Sequence, residues 1–243
     1  MGQLQIKKLY YMNKYIKKTS IELQYPKQFS QFKENGYSSL NPDGLLKWVS
    51  VLDNIETYKS LDNLNILDVG GGYSAITFLL SKNNNIINID LNRNDNWFST
   101  NPDGTIPGLK SGSYNLDNIK FIECNFLTES QTLPDNYFDV IIDSCSIIHF
   151  NPTLDKHINQ GLYDSSIIIN QKLKKDGIFV VSSDLAKPTE DSNNEFLHPH
   201  IFIDIVKDAG FELIGDSNFD DIDNLFDVKG ILSIGTFVFA PIK

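Results

Sequence analysis

The alternation of apolar and polar positions is sharpest over residues 65–90, NILDVGGGYSAITFLLSKNNNIINID. Ile66, Leu67 and Val69 form the short apolar run of a parallel strand buried on both faces, and Gly70, Gly71 and Gly72 end it abruptly. From Ser74 the period becomes helical through Ala75, Phe78 and Leu79; residues 86–89 then begin a second strand that stops at Asp90. This pattern predicts a βαβ unit with acids at the carboxyl ends of its strands, Asp68 and Asp90, the edge where open parallel sheets bind ligands.

The same reading extends outward. Upstream, Lys7, Lys8, Lys14, Lys17 and Lys18 interleave with Leu9, Tyr10, Tyr11, Tyr15 and Ile16, a basic amphipathic helix that either packs its aromatic side on the domain or touches an acidic surface. Pro26 interrupts it, Asn41-Pro42-Asp43-Gly44 reads as a turn, and Leu45, Leu46, Trp48, Val49 and Leu52 have helical spacing. Downstream, strands are predicted at Ile119–Glu123, 138–143, 178–181, 211–214 and 231–240, with helices at 152–174 and 201–209. Residues 91–118, with Trp97 and Phe98 among several turn signals, read as a long loop, either a substrate-side flap or a core-anchored insertion. The acidic stretch holding Asp216, Asp220, Asp221, Asp223 and Asp227 lacks the fixed positions of a Ca²⁺ loop and reads as solvated.

Composition narrows the classes. A chain of 243 residues can bury a core without disulfide or metal help, and a net charge of −10 argues against a broad nucleic-acid footprint. With only Cys124 and Cys145, a disulfide framework is not expected. No apolar run approaches the roughly 18 residues of a membrane span and no signal-peptide core is visible, so a cytoplasmic location is expected. The four histidines, His149, His157, His198 and His200, show no ligand spacing, and no metal is expected.

Gly70, Gly72 and Ala75 satisfy G-x-G-x-x-G/A, and Asp90 lies about 20 residues on, as a dinucleotide fingerprint requires. Asp68 disfavours that reading, because a carboxylate beside a pyrophosphate adds repulsion. A cationic ligand suits it better. The run Asp68-Val69-Gly70-Gly71-Gly72-Tyr73-Ser74 resembles the first motif of class I S-adenosylmethionine-dependent methyltransferases. The resemblance covers residues 61–243 and implies a Rossmann-like α/β fold: a seven-stranded, mostly parallel sheet with helices on both faces, preceded here by a helical extension over residues 1–60.

It also implies S-adenosyl-L-methionine as cofactor, held by Asp68, Gly70, Gly71, Gly72 and Ser74 at the turn and by Asp90 on the ribose hydroxyls with Leu91 beside it. Asn125 stands where the family usually keeps an Asp for the adenine amino group, Phe126 could flank the ring, and Asp143 and Ser144 end the fourth strand beside the same ligand. His149 falls where several O-methyltransferases keep a catalytic histidine; a hydrogen-bonded structural histidine is the alternative. Asp184 either orients His149, binds substrate hydroxyls or is an ordinary loop acid. The implied reaction is methyl transfer to an oxygen of a small molecule or sugar derivative. A nicotinamide oxidoreductase, a catalytically silent cofactor-binding protein and a nucleic-acid methyltransferase are the rivals; for the last, Asp143-Ser144-Cys145-Ser146 replaces the expected polar-Pro-Pro-aromatic motif.

Overall fold

The computed structural model describes residues 18–36, 42–72, 74–91, 109–150, 158–186, 197–214, 226–228 and 232–243. The basic stretch before Lys18, the Trp97–Phe98 segment, His157 and most of the acidic stretch lie outside them. Among the described residues three helices come first: α1 (Lys18–Gln24), α2 (Pro26–Glu34) and α3 (Pro42–Tyr58). They are followed by β1 (Asn65–Val69), α4 (Ala75–Leu80), β2 (Asn85–Asp90), β3 (Ile119–Glu123), α5 (Phe126–Glu129) and β4 (Phe138–Ser144). The chain closes with α6 (Ile158–Lys172), β5 (Leu173–Leu185), α7 (Pro199–Asp208), β6 (Phe211–Leu213), β7 (Phe226–Val228) and β8 (Leu232–Pro241).

The sheet order is β3-β2-β1-β4-β5-β8-β6, with β7 also paired to β8. Strands β1 to β5 run parallel, and β8 enters antiparallel between β5 and β6. Strand alternation sorts the apolar residues into two layers. Ile66, Val140, Ile142 and Val180 face α2, α3 and α4, whereas Leu67, Val69, Ile141, Phe179 and Val181 face α6 and α7. Leu45, Leu46, Val49, Leu52 and Ile55 on α3 are fully or almost fully buried in the first layer, so the helical extension shares its core with the sheet.

Local expectations are corrected at three places. Pro42 opens α3 instead of sitting in a turn, because proline at the first helical position gives up no hydrogen bond the helix would have made. Helix α6 stops at Lys172, and β5 begins at once: Leu173 pairs with Phe138 before residues 174–177 bulge out and Ile178 pairs with Val140. Lys174 of that bulge is pinned from outside, to Asp139 at 2.7 Å. Asp227, placed in a solvated loop by its composition, belongs to β7 and pairs with Ser233.

Candidate active site

The carboxyl ends of β1 to β4 converge on one edge, where a cavity of about 390 Å³ opens. It gathers Gly70, Asp90, Leu91, Asn125, Phe126 and His149 from the residues singled out by sequence. Ile89, Cys124, Leu127, Cys145, Ser146 and Phe150 line it as well. Asp90 ends β2 and is half-buried, Leu91 is 59% exposed, and Phe126 sits 3% exposed with its ring 6.2 Å from that of Phe150.

Of the three glycines Gly70 alone lines the cavity, and Gly71 and Gly72, expected beside the ligand, lie behind it. Gly70 has φ +62°, and a Cβ there would lie 2.3 Å from Ser146 Cβ; a Cβ on Gly71 would lie 2.5 Å from the Asp68 Cγ. Backbone thus approaches its neighbours more closely than any side chain permits. Gly70 is further tied by its carbonyl, which accepts from Ser146 Oγ at 2.9 Å.

Asp68 does not line the cavity, contrary to the expectation of a carboxylate facing the ligand. It is fully buried beneath the turn, where Oδ2 accepts from the Thr77 hydroxyl and from Asn88 Nδ2 at 3.4 Å. Asn88 also reaches the Gly72 carbonyl at 3.4 Å, so the cluster supports the turn from below. Burial pushes the Asp68 carboxyl up to about 7 against the Thr77 hydrogen bond, with repulsion from Asp90 adding to the rise. Asp143, also fully buried, accepts at Oδ1 from the backbone of Ser146 at 2.9 Å and of Ile147 at 3.2 Å. Burial raises it to about 7 too; those two amides oppose the shift, and Asp68 adds to it. Ser74 and Ser144 likewise sit behind the cavity surface instead of on it.

Asn125 lines the cavity, but its side-chain oxygen accepts from Leu127 N at 3.0 Å as the N-cap of α5, while Glu129 accepts the Asn125 backbone N–H at 2.6 Å. One of its two acceptor lone pairs is therefore committed to the helix. His149 is exposed on the helical turn Ile147–His149, and among the described residues no carboxylate pairs with its ring. Asp184 does not orient it: that carboxylate is held by Lys47 at 2.9 Å and by Cys145 Sγ at 3.2 Å. The roles of Lys47 and Cys145 escaped the sequence reading, since neither carries a local signal.

Among the described residues, Asp143 Oδ2 and Ser144 Oγ are buried at this edge without a hydrogen-bond partner. Two buried carboxyls, Asp68 and Asp143, behind a side-chain-free turn fit a ligand that brings positive charge to the cavity. The methyltransferase-domain family model matches residues 60–201. The chain belongs to that family, the class I S-adenosylmethionine-dependent methyltransferases. It is an enzyme whose cofactor is S-adenosylmethionine.

Solved structures share the methyltransferase fold at low identity. A TehB-like S-adenosylmethionine-dependent methyltransferase from Corynebacterium glutamicum is 16% identical, with a TM-score of 0.51, over 92% of this chain and 99% of its own. A magnesium protoporphyrin IX methyltransferase from Synechocystis with bound S-adenosylmethionine is 12% identical, with a TM-score of 0.55, over 95% and 100%. A 1,6-didemethyltoxoflavin-N1-methyltransferase from Burkholderia thailandensis, with substrate and S-adenosylhomocysteine bound, is 13% identical, with a TM-score of 0.54, over 93% and 87%. No curated relative matches the sequence. Among the described residues no helix is long and apolar enough to cross a membrane.

Asp90 provides the first quantitative test of this methyltransferase's cavity. A charged hydrogen bond contributes roughly 1.5–3 kcal/mol, so Asp90→Ala should weaken S-adenosylhomocysteine binding by at least about tenfold. Calorimetry with the folded variant checks this; unchanged affinity removes Asp90 from the cofactor site.

Proposed function

We propose that this methyltransferase acts on an oxygen of a small molecule or sugar derivative and that His149 serves as general base. The observation that carries the proposal is the position of His149, the only imidazole among the described lining residues, on the same cavity as Gly70 and Asp90. Bound S-adenosylmethionine supplies a sulfonium methyl already activated for displacement. What remains for the protein is to align the acceptor and take its proton. Gly70 and the turn behind it would hold the methionyl part, Asp90 the ribose and Phe126 the adenine ring, with His149 left to accept the hydroxyl proton. The size of the cavity and the chain's net charge of −10 support a small acceptor over a nucleic acid.

The exposed His149 ring also admits a second reading, in which alignment alone drives transfer and no base is used. The two differ in outcome. A labelled-methyl screen of hydroxylated sugars and phenols would first identify an acceptor; His149→Ala should then lower kcat by roughly 10²–10⁴-fold at saturating cofactor, with S-adenosylhomocysteine affinity unchanged. Turnover within about threefold of wild type would rule out the base role and leave alignment.

A further inference from the structure

Where β4 leaves the sheet, Cys145 adopts φ +73°, a left-handed conformation that side chains with a Cβ rarely take up. The residues after it build one wall of the cavity: Ser146, His149 and Phe150 all line it. Something must hold Cys145 there, because strained backbone persists only where its surroundings over-determine it. Two contacts do so. The thiol donates to Asp184 Oδ2 at 3.2 Å, and Asp184 N donates back to the sulfur at 3.4 Å. Burial pushes the Cys145 thiol up to about 12, which keeps it protonated as the donor.

The other oxygen of Asp184 is 2.9 Å from Lys47 Nζ, and the two side chains are only 22% and 13% exposed. Lys47 comes from α3, in the helical extension, and Asp184 from the carboxyl end of β5. A largely desolvated ion pair contributes little net stability beside an apolar pair of the same size, whereas it fixes geometry well. Its position beside a strained residue on the cavity wall gives that geometry a use.

We infer that Lys47 and Asp184 are positioning residues of the methyl-transfer site: together they lock Cys145 in its left-handed conformation and so set where Ser146, His149 and Phe150 stand. This rests on the proposed function only in taking that wall as the acceptor side. The extension helix is thereby wired into the site through one carboxylate.

Hydrogen exchange tests the inference without any ligand, through the amides of residues 146–150, two of which are bonded within the turn: His149 N to Ser146 O at 2.9 Å and Phe150 N to Ile147 O at 3.2 Å. The double variant Lys47→Met/Asp184→Ala removes both charges together, leaving neither stranded. Exchange over residues 146–150 should speed up by about tenfold or more while the β4 amides stay protected. S-adenosylhomocysteine should bind roughly fivefold more weakly, since Ser146 abuts Gly70. Adding Cys145→Gly, which reaches positive φ without strain, should restore both readouts to within about threefold of wild type. Unchanged exchange in the double variant, or no recovery in the triple one, overturns the positioning role. A wild-type chain that fails to bind S-adenosylhomocysteine instead sinks the cofactor reading alone.

Discussion

Gly70→Ala should reduce S-adenosylhomocysteine affinity by at least about thirtyfold and lower the melting temperature, whereas Gly112→Ala should leave binding unchanged. Both glycines have positive φ, +62° and +79°. A side chain in the left-handed region costs roughly 1–2 kcal/mol at either position. They differ in surroundings. A Cβ at Gly112 meets nothing within 4 Å, while one at Gly70 overlaps Ser146 Cβ at 2.3 Å and Oγ at 2.5 Å. Ser146 cannot retreat cheaply, because its hydroxyl binds the Gly70 carbonyl and its amide binds Asp143. Overpacking of that kind adds roughly 1–3 kcal/mol, and relief would push the turn away from β4, opening the cavity wall. Calorimetry on both variants, with thermal unfolding alongside, separates strain from collision. Equal effects of the two substitutions would show that conformation alone matters and that the Gly70–Ser146 contact carries no function.

How much of this was legible beforehand follows from how local each signal is. The run before Gly70 and the acid at Asp90 are written in strand periodicity and turn chemistry, and both stand where the pattern puts them. Asp68 stands near a strand tip, yet that position alone does not bring its carboxyl to the ligand, because the side chain is buried on Thr77 beneath the turn. The clue lay in Asn88, a polar residue in the middle of an apolar strand, which is the register partner of Asp68 across β1 and β2. Two polar residues opposite each other on buried strands announce an internal hydrogen-bonded cluster.

The bulge at residues 174–177 imitates a helix end, since lysines and a glycine mark either; only pairing with Phe138 decides between them. Strand β7 has three residues, too few for any period to emerge from an acidic background. The Lys47–Asp184–Cys145 cluster joins residues 137 and 39 positions apart in pairs that no local pattern encodes. Such groups are fixed by topology, which brings α3 across the end of β5.

The buried carboxyls make a pH prediction whose sign runs against ordinary acid denaturation. Asp68 and Asp143 stand on adjacent parallel strands, where Val69 pairs with Asp143, and both are raised from 3.8 to about 7. Between pH 4 and 7 the folded chain therefore keeps protons that the unfolded chain has released, and stability falls as pH rises. The loss is absent below about pH 4, develops through the interval and is complete above about pH 7. Asp139, which Lys174 and the Asn65 amide hold below its ordinary value despite burial, works in the opposite sense, but only as pH falls through its own lower range. It leaves the window from pH 5 to 8 clear. Urea unfolding of the cofactor-free protein should accordingly give a higher midpoint at pH 5 than at pH 8. Asp143→Asn keeps an oxygen for the Ser146 and Ile147 amides while removing one charge, so it should raise the midpoint at pH 8 and change it little at pH 5. Binding should reverse the trend, because a ligand bringing positive charge to the turn favours the ionised pair: S-adenosylmethionine, which carries the sulfonium, should gain more affinity between pH 6 and pH 8 than the uncharged thioether S-adenosylhomocysteine, and calorimetry in buffers of different ionisation enthalpy should register proton release on binding the sulfonium form. A midpoint that rises from pH 5 to pH 8, or a gain from Asp143→Asn that is equal at both pH values, would mean that these carboxyls ionise in the folded chain as freely as in water.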